Sequence, residues 1–327
     1  MKNVVLTILM LCGLSAHAIT KINGAGASFP YPIYSKWFSE YSKLNKDVQF
    51  DYQAIGSGGG IRQLIKQTVD FGASDAPMKD KDIKKAAWPV KHIPTVLGAV
   101  AIAYNLKGIT RSIKLDGETL SAIFLGQITK WNDEKIQTLN KGLKLPAKDI
   151  LVVRRADGSG TTAIFSDYLS TVSKNWEDKV GRGKSLRWPT GIGAKGNSGV
   201  TGAVKQNDGA IGYIELAYAI KNKLSVVSLK NKAGEYKLPT VQGVSLAAQN
   251  VDASKGLTTS IVDASGKGVY PIAAFTYILL PVHQGENLKF VKEFLNWALT
   301  KGQNYAPALH YAPLPNKFAK EVLKQIK

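Results

Sequence analysis

Two long apolar runs, residues 92–106 and 270–282, constrain this chain more than any other feature. Each reads as extended chain buried on both faces, because its apolar residues run on without the alternation of a half-exposed strand. Around them strand-like and helix-like segments alternate, the pattern of an α/β fold. A length of 327 residues suggests two domains rather than one. The two runs are therefore expected to cross between two lobes. Residues 19–97 with 270–327 would form the first lobe from both chain ends, and 98–269 the second.

The local signals fill in this frame. Residues 19–24 read as a strand. Ile33, Trp37, Tyr41 and Leu44 recur at helical spacing, and Val48, Phe50 and Tyr52 alternate as in a strand. Glycines 58–60 are expected to end that strand, with a helix carrying Ile61, Leu64 and Ile65 after them. Further strands are expected at 69–73, 150–153, 211–214 and 224–229. Further helices are expected at 119–125, from Ser159 onward, after the Gly-rich stretch 191–202, at 288–299 and at 316–326. Residues 230–268 give no clear pattern.

The first 18 residues carry the marks of an export signal. Lys2 is a basic start, Val4 to Leu14 is a short apolar stretch, and Ala16-His17-Ala18 is a small-residue cleavage site. The stretch is too short to span a bilayer as a helix. Cys12, the single cysteine, lies inside it, so the mature chain is expected to hold no disulfide or thiolate. The formal net charge of +19 favours anionic partners. The lysines are scattered, however, with no basic block interleaved with aromatic residues, and nucleic-acid binding is not expected.

One arrangement occurs three times: a strand, a turn of small or hydroxyl residues, then a helix start. The turns are Gly26-Ala27-Ser28-Phe29, Gly56-Ser57-Gly58-Gly59-Gly60 and Asp157-Gly158-Ser159-Gly160-Thr161. Each offers free backbone N–H groups and a hydroxyl at the positive end of a helix dipole. With Arg155 beside one turn and Asp75 in another tight turn, they describe an oxyanion site, although hydroxyls at helix starts also serve simply as caps. No P-loop lysine, G-x-S-x-G elbow or H-E-x-x-H is present. His92, His283 and His310 stand far apart, outside any motif, and read as structural or surface residues. No metal, cofactor or catalytic residue is expected.

Several of these segments closely resemble one family. Gly24-Ala25-Gly26-Ala27-Ser28-Phe29-Pro30, Ile55-Gly56-Ser57, the run 69–77 ending Asp75-Ala76-Pro77, and Arg154-Arg155-Ala156-Asp157-Gly158-Ser159-Gly160-Thr161 resemble the periplasmic phosphate-binding proteins of phosphate ABC importers. Phe124-Leu125-Gly126, Lys130-Trp131-Asn132-Asp133 and Gly209-Ala210-Ile211-Gly212-Tyr213 match as well.

The resemblance implies a periplasmic-binding-protein-like fold, two α/β lobes joined by a hinge, with phosphate held in the cleft. It implies binding by Ala27, Ser28, Phe29, Ser57, Asp75, Arg155, Ser159, Gly160 and Thr161. It also implies a monomer in the periplasm that delivers phosphate to membrane permease subunits. Asp75 is the informative member, since an ionised carboxylate only accepts hydrogen bonds. Phosphate keeps a proton near neutral pH and sulfate does not, so Asp75 is expected to reject sulfate. A receptor for sulfate or molybdate on the same fold stays open, as does, more remotely, an exported phosphatase or esterase using Ser159 or Ser57.

Overall fold

The computed structural model describes residues 19–326, so the export signal, its cleavage site and Cys12 lie outside the described residues. The chain begins with β1 (Thr20–Gly26), α1 (Tyr31–Leu44), β2 (Val48–Gln53), α2 (Ser57–Ile65), β3 (Phe71–Ser74) and the long β4 (Val90–Tyr104). Pro32 sits in the first turn of α1, where its missing N–H costs nothing. The inward face of α1 carries Ile33, Tyr34, Trp37, Phe38 and Tyr41, all buried.

The main sheet runs β2, β1, β3, the strand Ala273–Pro281, β4, then the strands Ala210–Glu215, Leu151–Arg155 and Ile192–Ala194. β1 is parallel to β2 and β3, while Ala273–Pro281 is antiparallel to β3 and β4. β4 changes partner along its length. Residues 90–99 pair with Ala273–Pro281, and residues 100–104 pair with Ala210–Glu215. The apolar run 92–106 thus falls almost wholly within one fifteen-residue strand, shared by the two halves of the sheet. Its burial on both sides explains the missing alternation.

Each half has its own aromatic core. In the first, Phe38 stacks on Phe50 at 5.1 Å, with Phe71 and Phe294 packed around them. In the second, Phe165 stacks on Tyr213 at 4.3 Å, beside Phe124 and Trp188. Burying one such side chain contributes about 1.5–3 kcal/mol.

The sequence reading needs three corrections here. Glycines 58–60 do not end β2; they form the first turn of α2. A Cβ on Gly60 would lie 2.4 Å from the Ala25 carbonyl oxygen, so glycine lets the helix start sit directly on β1. The Gly-rich stretch likewise does not merely lead into a helix, since Gly196–Gln206 is itself helical. The expected strand 224–229 breaks at Val227. Ser225–Val226 joins the end of β4, and Ser228–Lys230 joins a separate three-stranded sheet. Residues 230–268 hold the hairpin partner Tyr236–Lys237 and the helix Val241–Ala248.

Candidate functional site

The three turns named from the sequence converge where the halves of the molecule meet. Ser28, Ser57, Asp75, Arg155, Ser159 and Thr161 are all buried, each at most 4% exposed. The Gly58 N–H donates to the Gly158 carbonyl across the cleft at 2.8 Å. A Cβ on Gly160 would lie 2.4 Å from both Ser57 Oγ and Asp75 Oδ2, so glycine is what admits this close approach.

The residues differ in what they offer. The Ala27 N–H is taken by the Ala73 carbonyl at 3.0 Å and its carbonyl accepts from Tyr52, so Ala27 contributes shape only. The amides of Ser28 and Phe29, and those of Gly160 and Thr161 at a helix start, make no hydrogen bond among the described residues. Such amides are ready donors to an anion. Ser159 caps that helix by accepting from Thr162 N–H at 3.0 Å, which leaves its own proton to donate. Its role as a cap and as a donor therefore coexist.

Arg155 is held rigidly. Its Nε donates to Asp157 Oδ1 at 2.7 Å, its Nη2 donates to the other carboxylate oxygen, and its Nη1 donates to Thr161 Oγ1 at 3.3 Å. A guanidinium has five N–H groups, so one remains on each terminal nitrogen. Burial pushes the Asp157 carboxyl up, but the Arg155 pair and the Gly196 N–H outweigh it and hold the group below the usual range.

Asn197 was not singled out from the sequence, yet it organises the hydroxyls. Its backbone N–H and its Nδ2 both donate to Ser28 Oγ, at 3.1 and 3.0 Å. Nδ2 also donates to Thr161 Oγ1 at 3.1 Å, while Oδ1 accepts from Glu215 N–H at 2.9 Å. Both lone pairs of Ser28 Oγ are then used, and those of Thr161 Oγ1 are used by Asn197 and Arg155. Each hydroxyl has only its proton left to offer. The available signal was a fourth polar helix start, Gly196-Asn197-Ser198-Gly199, inside the Gly-rich stretch.

Asp75 stands apart as an acceptor among donors. Thr276 Oγ1 donates to its Oδ1 at 2.8 Å, and Ser57 Oγ lies 3.5 Å from Oδ2. Burial raises its pKa to about 7, against the pull of Thr276, Arg155, Ser57 and Lys184. Thr276 pairs with Val96 on β4 at the edge of a register shift, beyond which Tyr277 pairs with Pro94, a residue with no N–H for the ladder. That irregularity is not visible in an apolar run.

The histidines lie elsewhere. His92 accepts from Met78 N–H at 2.9 Å, and burial lowers its pKa to about 4. His283 packs on Trp88, and His310 takes a left-handed conformation in a turn.

Two α/β halves sharing a strand, with a buried polar site between them, define the class of two-lobed binding proteins. The family model described as "PBP superfamily domain" matches residues 14–301. The Pasteurella multocida protein named Phosphate-binding protein PstS is 45% identical over 311 residues, covering 94% of this chain and 90% of that protein. The Haemophilus influenzae protein of the same name is 43% identical over 328 residues, covering 99% and 96%. Among solved structures, a phosphate-binding protein from Stenotrophomonas maltophilia shares the fold with a TM-score of 0.70 at 20% identity, covering 93% of each chain. The chain belongs to the PstS family within the PBP superfamily.

Proposed function

We propose that this protein captures inorganic phosphate in the periplasm and delivers it to the permease subunits of an ABC importer, as a monomer and without turnover. One observation carries the choice of ligand: the buried Asp75 carboxyl lies beside Ser57 and Thr276, at a site whose Ser28 and Thr161 hydroxyls have only their protons left to offer. Phosphate matches this set, because its oxygens accept from Ser28, Ser57, Arg155, Ser159, Gly160, Thr161 and the Phe29 amide, and its proton meets Asp75. Sulfate fills the donors but leaves Asp75 against a bare oxygen. Chemistry on the ligand is not part of the reading, because no histidine lies at the site to serve as a base.

The change of partner along β4, between residues 99 and 100, supports a division of the lobes close to 97/98, and closure about the crossovers at 97/98 and 269/270 excludes water. Several charge-assisted hydrogen bonds at roughly 1.5–3 kcal/mol each suffice for micromolar capture after the costs of ordering. Equilibrium dialysis of the mature, ligand-stripped protein against labelled phosphate tests the reading. One phosphate is retained per chain and a hundredfold excess of sulfate does not displace it. Displacement by sulfate, or no retention, would overturn it.

A further inference from the structure

A groove of about 600 Å³ opens just outside the Gly58–Gly158 contact and is walled by both halves of the molecule. Six cations line it: Arg62, Lys66, Lys79, Lys81, Lys85 and Lys184. The one carboxylate among the lining residues is Asp82. None of the six forms an ion pair within 4.0 Å among the described residues, and the Lys184 ammonium instead donates to the Pro77 carbonyl at 2.6 Å. Burial lowers the Lys184 pKa to about 8, with Lys79 adding repulsion against the pull of Asp82 and Asp75. So many unpaired cations in one concavity repel each other unless a polyvalent anion offsets them.

We propose that this groove is a second anion site, distinct from the buried one, that takes an extended phosphate chain such as a short inorganic polyphosphate. The lining decides the class. It has no aromatic side chain on which a nucleobase could stack, which argues against single-stranded nucleic acid. Lysine ammoniums are compact point charges that suit successive phosphates. The chain lies along the groove against the Gly58–Gly158 contact, and Asp75 is not among the residues that line it. Because Lys184 and Gly158 come from one half and the other five cations from the other, an occupant also favours the closed pairing.

The test is a calorimetric titration of sodium tripolyphosphate into mature protein already saturated with orthophosphate, and into the Arg62→Glu/Lys66→Glu variant. Both residues are exposed, and a thermal melt confirms that the variant folds. The site predicts one-to-one binding that weakens with salt and falls by about tenfold or more in the variant, while orthophosphate affinity stays within about twofold. Equal tripolyphosphate affinity in both proteins would overturn the proposal, as would displacement of the bound orthophosphate. An oligothymidylate of similar charge binding as tightly would replace the phosphate-chain assignment with a general polyanion surface. If orthophosphate itself does not bind, the function proposed above fails, and direct titration of tripolyphosphate still decides this site.

Discussion

Ser28 Oγ receives two hydrogen bonds from Asn197, at 3.1 and 3.0 Å, across the interface between the two halves of the molecule. The pair ties the turn after β1 to the start of the helix Gly196–Gln206, and it leaves the Ser28 hydroxyl only its proton to offer. Asn197→Ala is expected to weaken phosphate binding by about 10–100-fold, the equivalent of one or two hydrogen bonds that serve a charged ligand. Asn197→Asp should be worse, because it sets a carboxylate beside an anion. Titration of both variants checks the order; equal affinities in wild type and Asn197→Ala would remove Asn197 from the site.

Burial lifts the Asp75 carboxyl from 3.8 to about 7, so the ligand-free folded chain keeps a proton that the unfolded chain has shed. The stability tied to this group is whole below about pH 4, is lost as pH rises toward 7, and levels off above it. Asp75→Asn escapes that loss. Its unfolding free energy in urea should match the wild type near pH 4 and exceed it at pH 8, by an amount on the order of a few kcal/mol. The same proton changes selectivity: below pH 7 a protonated Asp75 can donate, so sulfate should bind measurably at pH 5.5 and not at pH 8.

Gly160→Ala tests the approach of the lobes without disturbing either core. Its Cβ would strike Ser57 and Asp75, which belong to the other half of the molecule. Phosphate affinity should fall by about a hundredfold or more while the melting temperature of the free protein moves little. A large drop in melting temperature would place the clash inside one lobe instead.

Lys184 links the halves through the Pro77 carbonyl. Lys184→Ala should speed phosphate release by about tenfold in stopped-flow displacement, with a smaller effect on association, as expected for a contact made after encounter.

Much of this was legible in the sequence. The repeated turn-and-helix-start pattern led to Ser28, Ser57, Ser159 and Thr161, and Asp75 and Arg155 stood out as charges beside such turns. The apolar runs marked the two long buried strands, of which β4 is shared by both halves of the sheet. What stayed hidden depends on contacts between distant segments. Asn197 matters because a helix start some 170 residues from Ser28 packs against it, and no local spacing encodes that. Thr276 reaches Asp75 from an irregular point in a buried strand some 200 residues away, and nothing local to the strand names that partner. Glycines 58–60 could be read as a strand end or a helix start, and only the close approach of α2 to β1 decides between them.

The most direct test of the central claim is a calorimetric titration of phosphate and of sulfate into the ligand-stripped mature protein and its Asp75→Asn variant at pH 8. The account predicts tight one-to-one phosphate binding and no sulfate signal in the wild type, and measurable sulfate binding in the variant, whose amide can donate where the carboxylate only accepts. Tight sulfate binding by the wild type, or selectivity unchanged in the variant, would contradict it.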